Sequence, residues 1–192
     1  MKTAKNLAAL SIILLSLNGC STYEPQPLPG FKFTSQSPIV LGVNRVEVVS
    51  DLDSDLAPKE VRELYRGIAA DLTTWAKNRF VAKHQAPGSV YVNLVELKVT
   101  ELTSGDRLRH TNEEPWLALQ AQAKVRLDHV DERGAPKGSI FAEASESLKM
   151  PDSMTLDHRN TEIVRLRQDL LNALDHEVTK SIQQSMAMLL SN

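Results

Sequence analysis

The chain has 192 residues, 22 basic and 24 acidic side chains, 42% hydrophobic residues and one cysteine. A single cysteine rules out an internal disulfide framework, so the fold must rest on a hydrophobic core, which a chain of this length can build. The slightly acidic balance is the opposite of the basic footprint of a nucleic-acid binder, and no nucleic-acid partner is expected.

The first element is a signal. Lys2 and Lys5 precede an apolar run, Leu7 to Leu17, which ends in Asn18-Gly19-Cys20. A positive flank, a short apolar stretch and a small residue before a cut describe an export signal. The run falls short of the ~20 residues of a spanning helix. The position of Cys20 resembles the lipobox of bacterial lipoproteins, which implies cleavage after residue 19 and acylation of Cys20. Without Lys2 and Lys5, 20 basic residues face the same 24 acidic ones, a net charge of −4 on residues 20–192. That charge gives no overall attraction to anionic lipid, so membrane attachment is assigned to Cys20.

Residues 20–38 read as an acylated cysteine and a tether. Pro25, Pro27, Pro29 and Pro38 favour extended chain at ~3.1 Å per residue. Leu28, Phe31 and Phe33 are candidates to dock back on the domain. A single domain is expected over 39–192.

Ile39 to Val49 alternates as a strand, with a phase change at Asn44-Arg45 that suggests a bulge. After an acidic loop, Pro58 opens a helix in which Val61, Leu64, Tyr65, Ile68, Leu72, Trp75 and Ala76 recur at helical spacing, ending near Phe80 to Lys83. Pro87-Gly88 marks a turn. Val90 to Leu102 is a long strand whose apolar phase switches between Leu94 and Val95. A polar loop follows. Trp116 to Val130 has strict period two, the mark of one buried and one wet face. Asp131 to Gly134 makes a hairpin, and Ser139 to Leu148 is a fourth strand whose small residues suggest a helix packed closely over it. Thr155 to about Leu190 is a long amphipathic helix, striped by Ile163, Leu166, Leu170, Leu174, Val178 and Ile182, with Thr155 or Asp157 as its cap.

The order strand-helix-strand-strand-strand-helix predicts an α+β two-layer sandwich, a four-stranded, mostly antiparallel sheet with both helices on one face. The sheet neighbour of the first strand is left open.

The search for chemistry yields little. His84, His110, His129, His158 and His176 have no metal-ligand spacing, no nucleophile elbow occurs, and no glycine-rich phosphate loop is present. No cofactor, metal or catalytic residue is assigned, and the chain is not expected to be an enzyme. Trp75 is read as a core anchor and Arg79 as a surface arginine. Trp116, beside a loop carrying Arg107 and Arg109, is the candidate partner contact.

The strand Ile39–Val49, Trp75 with Arg79-Phe80, the alternating Leu117–Leu127, Phe141-Ala142-Glu143-Ala144 and the terminal helix together resemble a family of uncharacterised Gram-negative lipoproteins. In order and length of elements the chain also resembles the lipopolysaccharide-assembly lipoprotein family LptE, an acylated domain plugged into an outer-membrane barrel. Ser21-Thr22-Tyr23-Glu24-Pro25 opens a longer Pro-rich tether than that family shows. The resemblance implies a non-catalytic lipoprotein on the periplasmic face of the outer membrane, an accessory in envelope assembly or transport with an envelope protein as partner. Ser21 fits that location, since aspartate there favours the inner membrane. The alternative is a lipid- or small-ligand-binding carrier auxiliary to an ABC-type lipid transporter.

Overall fold

The computed structural model describes residues 37–83, 87–104 and 114–190. The signal, Cys20, most of the tether with Leu28, Phe31 and Phe33, and the loop carrying Arg107 and Arg109 lie outside them. No helix of the described residues is long and apolar enough to cross a membrane.

Ile39–Leu41 (β1) and Arg45–Ser50 (β2) precede a long helix, Arg62–Arg79 (α1). Phe80–Ala82 (β3) follows without a break, and then come Ser89–Thr103 (β4), Trp116–Val130 (β5), Pro136–Pro151 (β6) and Leu156–Ser185 (α2). The main sheet has the order β2-β4-β5-β6, with β2 parallel to β4 and the other pairs antiparallel. This is the expected α+β sandwich, and it settles the neighbour of the first sheet strand as β4.

Four expected boundaries are corrected. Ile39 to Val49 is not one bulged strand. The chain bends at Gly42–Asn44, where the Val43 amide donates to the Leu41 carbonyl, and β1 leaves the main sheet to pair in parallel with β3. The first helix stops at Arg79, because Phe80 takes an extended backbone and the Phe80-Val81-Ala82 run joins β1 instead. The terminal helix stops at Ser185. A short 3-10 turn carries the chain on to Leu190, which bridges back to Leu41. The fourth strand extends beyond Ser139–Leu148 at both ends, since its partner β5 offers backbone groups along its full length.

The pleat decides the core. Val90, Val92, Leu94, Leu97 and Val99 of β4, Leu119 to Leu127 at every second residue of β5, and Ile140, Ala142 and Ala144 of β6 turn one face inward. The phase change in β4 is a bulge between Leu94 and Glu96, which keeps Leu94 and Leu97 on the same face although they are three positions apart. Both helices cover this face. Their leucines, Leu72 from α1 and Leu170, Leu171 and Leu174 from α2, are fully buried, and α2 lies mainly over the small residues of β6. Thr155 caps α2 by accepting from the His158 amide.

Between the helices lie two buried ion pairs. Asp71 of α1 meets Arg167 of α2 at 2.6 Å, and Arg79 of α1 meets Asp175 of α2 at 2.6 Å. The two pairs are spaced equally on both helices, so the helices run parallel, and the sign of charge is exchanged between one pair and the next. Arg79 is therefore not the surface residue that its sequence neighbourhood suggests. It is 7% exposed, and its guanidinium also donates to Thr179 and to the Ser37 carbonyl.

Candidate functional site

The two helices cover one face of the sheet, and no described element covers the other. Because β-strand side chains alternate, every second residue of β4, β5 and β6 stands on that open face. Asp128 is its centre. Its carboxylate accepts from Arg126 Nε at 2.8 Å, from Asn93 Nδ2 at 2.9 Å and from Ser139 Oγ at 2.5 Å, so one side chain ties three strands together. One row along, Glu143 accepts from Gln122 and lies 3.6 Å from Lys124 Nζ. The polar groups satisfy one another across the strands, and Phe141 stands among them with 55% of its surface exposed.

Trp116 sits at one end of this face. Its backbone is fixed by reciprocal bonds to buried Ser104: the Ser104 amide donates to the Trp116 carbonyl, and the Trp116 amide donates to Ser104 Oγ. Its ring is half-buried, and Lys149 Nζ lies 4.4 Å from the ring centroid, a cation–π distance. Leu102, which is exposed, belongs to the same end of β4. Sequence reading found Trp116 and missed Lys149, because the two meet only across the β5–β6 ladder. The positions of Arg107 and Arg109 relative to Trp116 fall outside the described residues, as does Cys20.

Two clefts open at the rim of the sheet. One, of about 260 Å³, lies between the Asp51–Pro58 segment, Tyr65 and residues 95–99 of β4. Burial, and then the neighbouring Asp53, push the Tyr65 hydroxyl above its ordinary pKa, so it stays neutral in the cleft wall. The other, of about 520 Å³, follows β2 from Val46 to Val49 beside Lys77 and Phe80. At the opposite end of β4, burial holds the His129 imidazole below its ordinary pKa, with Lys137 adding to the effect and Asp131 opposing it. Among the described residues no cluster of His, Cys, Asp or Glu has the spacing of a metal site.

Comparison with solved structures finds similarity at low identity and low TM-score. An uncharacterized lipoprotein B from Nitrosomonas europaea is 15% identical, with a TM-score of 0.43, and the match covers 82% of this chain and 94% of that one. Rare lipoprotein B from Shewanella oneidensis is 13% identical, with a TM-score of 0.42, 76% of this chain and 98% of that one being covered. A minor lipoprotein from Acinetobacter baumannii is 12% identical, with a TM-score of 0.36 over 79% of this chain and 98% of that one. No family model matches the sequence, and no curated protein matches it. No activity or partner follows from likeness at this level.

Proposed function

We propose that the protein is a non-catalytic, membrane-anchored lipoprotein, held at the periplasmic face of the outer membrane by Cys20 and serving as an accessory in envelope assembly or transport. The observation that carries this reading is the Lys2/Lys5–apolar–Gly19-Cys20 signal, which gives the lone cysteine a role as an acylation site. Several attached chains at ~0.8 kcal/mol per buried methylene hold a protein at a bilayer durably, where one chain holds it only reversibly. The open sheet face, ending in Trp116 and Lys149, supports a binding role. It presents a rigid backbone with satisfied polar groups and an aromatic anchor, the kind of residue that dominates interface energetics.

The carrier alternative needs an apolar cavity between helices and sheet. Leu170, Leu174 and Val178, all at 0% exposure above the alanines of β5 and β6, occupy that space, which supports the accessory reading over it. Metabolic labelling with a palmitate analogue, followed by fractionation and mild crosslinking, tests the proposal. Label on the native chain and none on Cys20→Ser, with recovery in an envelope complex, is the expected result. An unlabelled protein, or one recovered alone, counts against it, and co-purifying lipid in stoichiometric amount favours the carrier.

A further inference from the structure

The main sheet is uneven. β2 has 6 residues and β4 has 15, and their register pairs Ser50 with Leu94. One further bond, from the Asp51 amide to the Leu94 carbonyl, closes the pairing. Beyond it, β4 continues to Thr103 with β5 on one side and, among the described residues, no strand on the other. Residues 95–103 therefore present an unpaired sheet edge, in line with the position that β2 vacates. Such an edge is a template for another strand.

The 260 Å³ cleft lies along this edge. Consecutive residues 95–99 line it although they alternate between the two faces, which places it at the rim of the strand and not over either face. Its far wall is Leu52, Leu56 and Tyr65. Three carboxylates, Asp51, Asp53 and Glu96, border it against one cation, Lys98. The slot thus combines a free backbone ladder, an apolar wall and a negative rim.

The chain's own tether is badly placed to fill it. The tether joins the domain at Ser37, whose carbonyl is held by Arg79 at the C-terminal end of α1. Tyr65 and the cleft lie at the other end, 14 residues or about 21 Å of helix away. Gly30 to Gln36, the proline-free part of the tether next to the domain, is only long enough to span that rise at ~3.3 Å per residue. Pro25, Pro27 and Pro29 further out interrupt any ladder, because proline has no amide hydrogen to donate.

We propose that the edge of β4 over residues 95–103 receives an extended segment of a partner protein in which apolar and basic residues alternate. Backbone pairing with β4 gives affinity, the Leu52–Leu56–Tyr65 wall takes the apolar side chains, and Asp51, Asp53 and Glu96 select the basic ones. The inference names the kind of partner for the accessory reading and takes its biological setting from it. The binding itself does not depend on acylation, so the two fail separately.

The test uses the full chain in mild detergent and a fluorescein-labelled seven-residue peptide of alternating valine and lysine. A peptide with glutamate for lysine and one N-methylated at alternate amides serve as controls. The lysine peptide should bind at least tenfold more tightly than either control, with new protection in hydrogen exchange of those residue 96–103 amides that point away from β5. The double variant Asp51→Lys, Glu96→Lys, at two exposed positions, should bring the glutamate peptide above the lysine one. Equal binding of all three peptides, binding without protection of those amides, or full protection of the edge in the free chain would each overturn the proposal.

Discussion

Arg79 Nε lies 2.6 Å from Asp175 Oδ1, and the same oxygen accepts from Trp75 Nε1 at 2.9 Å, so one buried carboxylate gathers the first helix's guanidinium and indole. Arg79 Nη2 reaches the other carboxylate oxygen at 3.2 Å and Thr179 Oγ1 at the same distance. Charge is tolerated here because donors and acceptors are matched, and removing one member leaves its partner charged and dry. Asp175→Asn should therefore lower stability by about 3–5 kcal/mol, a large share of the ~5–15 kcal/mol typical of a domain. Replacing the pair, Arg79→Met with Asp175→Leu, should cost much less. Urea unfolding of the variants checks both, and equal losses in the two would show that the pair's charge is not what matters.

Gly67 faces the second pair. A Cβ at this position would come 3.3 Å from Arg167 Cζ, while Arg167 Nε is held at 2.8 Å from Asp71 Oδ2. Alanine in a helix interior normally gains about 1 kcal/mol over glycine. Gly67→Ala should reverse that sign, because the guanidinium can yield only by loosening its bonds to Asp71. A higher melting temperature in Gly67→Ala would refute this.

Gly88 sits in the turn before β4 with φ of +101°, and a Cβ there would lie 2.6 Å from the Val130 carbonyl oxygen. Gly88→Ala combines backbone strain with a contact against backbone that cannot swing away. It should cost about 1–3 kcal/mol, measurable by denaturant midpoint. The alanine variant of Gly134 also meets a positive φ, of +80°, but faces open space, and should lose less.

His129 supplies a pH dependence. Its folded-state pKa is lowered, first by burial and then by Lys137, so between that value and the ordinary ~6.5 the unfolded chain binds more protons than the folded one. Stability contributed by the neutral imidazole is present above about pH 6.5 and is lost as pH falls from there through the folded-state pKa. Urea midpoints taken from pH 7 to pH 5 should decline in the native chain and decline less in His129→Asn. Asp131, whose carboxyl is lowered by the Ala135 amide and by Lys137, acts in a separate window below about pH 4.

How much of this was legible in the sequence varies with the range of the cause. The limits Trp116 and Val130, the phase change after Leu94, the Thr155 cap and the core position of Trp75 are all visible locally, because alternation, helical spacing and capping act within a few residues. β1 and β3 were not visible as a pair. Strands of three residues carry too little periodicity, and Ile39 meets Phe80 only after α1 has turned the chain back. Arg79 looked like a surface residue because its partner Asp175 is 96 positions away. At the candidate site, Trp116 was legible as an aromatic beside a polar loop, but Lys149 and the unpaired edge of β4 were not. One depends on the β5–β6 register, the other on the difference in length between two strands that are not adjacent in sequence.

The sequence by itself determined the α+β class and the inward face of each long element, since these follow from local composition and from periods of 2 and 3.6 residues, and the pattern of Lys2, Lys5, apolar run and Cys20 on which the lipoprotein proposal rests is likewise local. Tertiary structure alone decided that two parallel helices share buried charges of exchanged sign, that one sheet face stays open, and that β4 outruns its neighbour. Each of these is a relation between distant residues, set when the sheet register and helix packing bring them together.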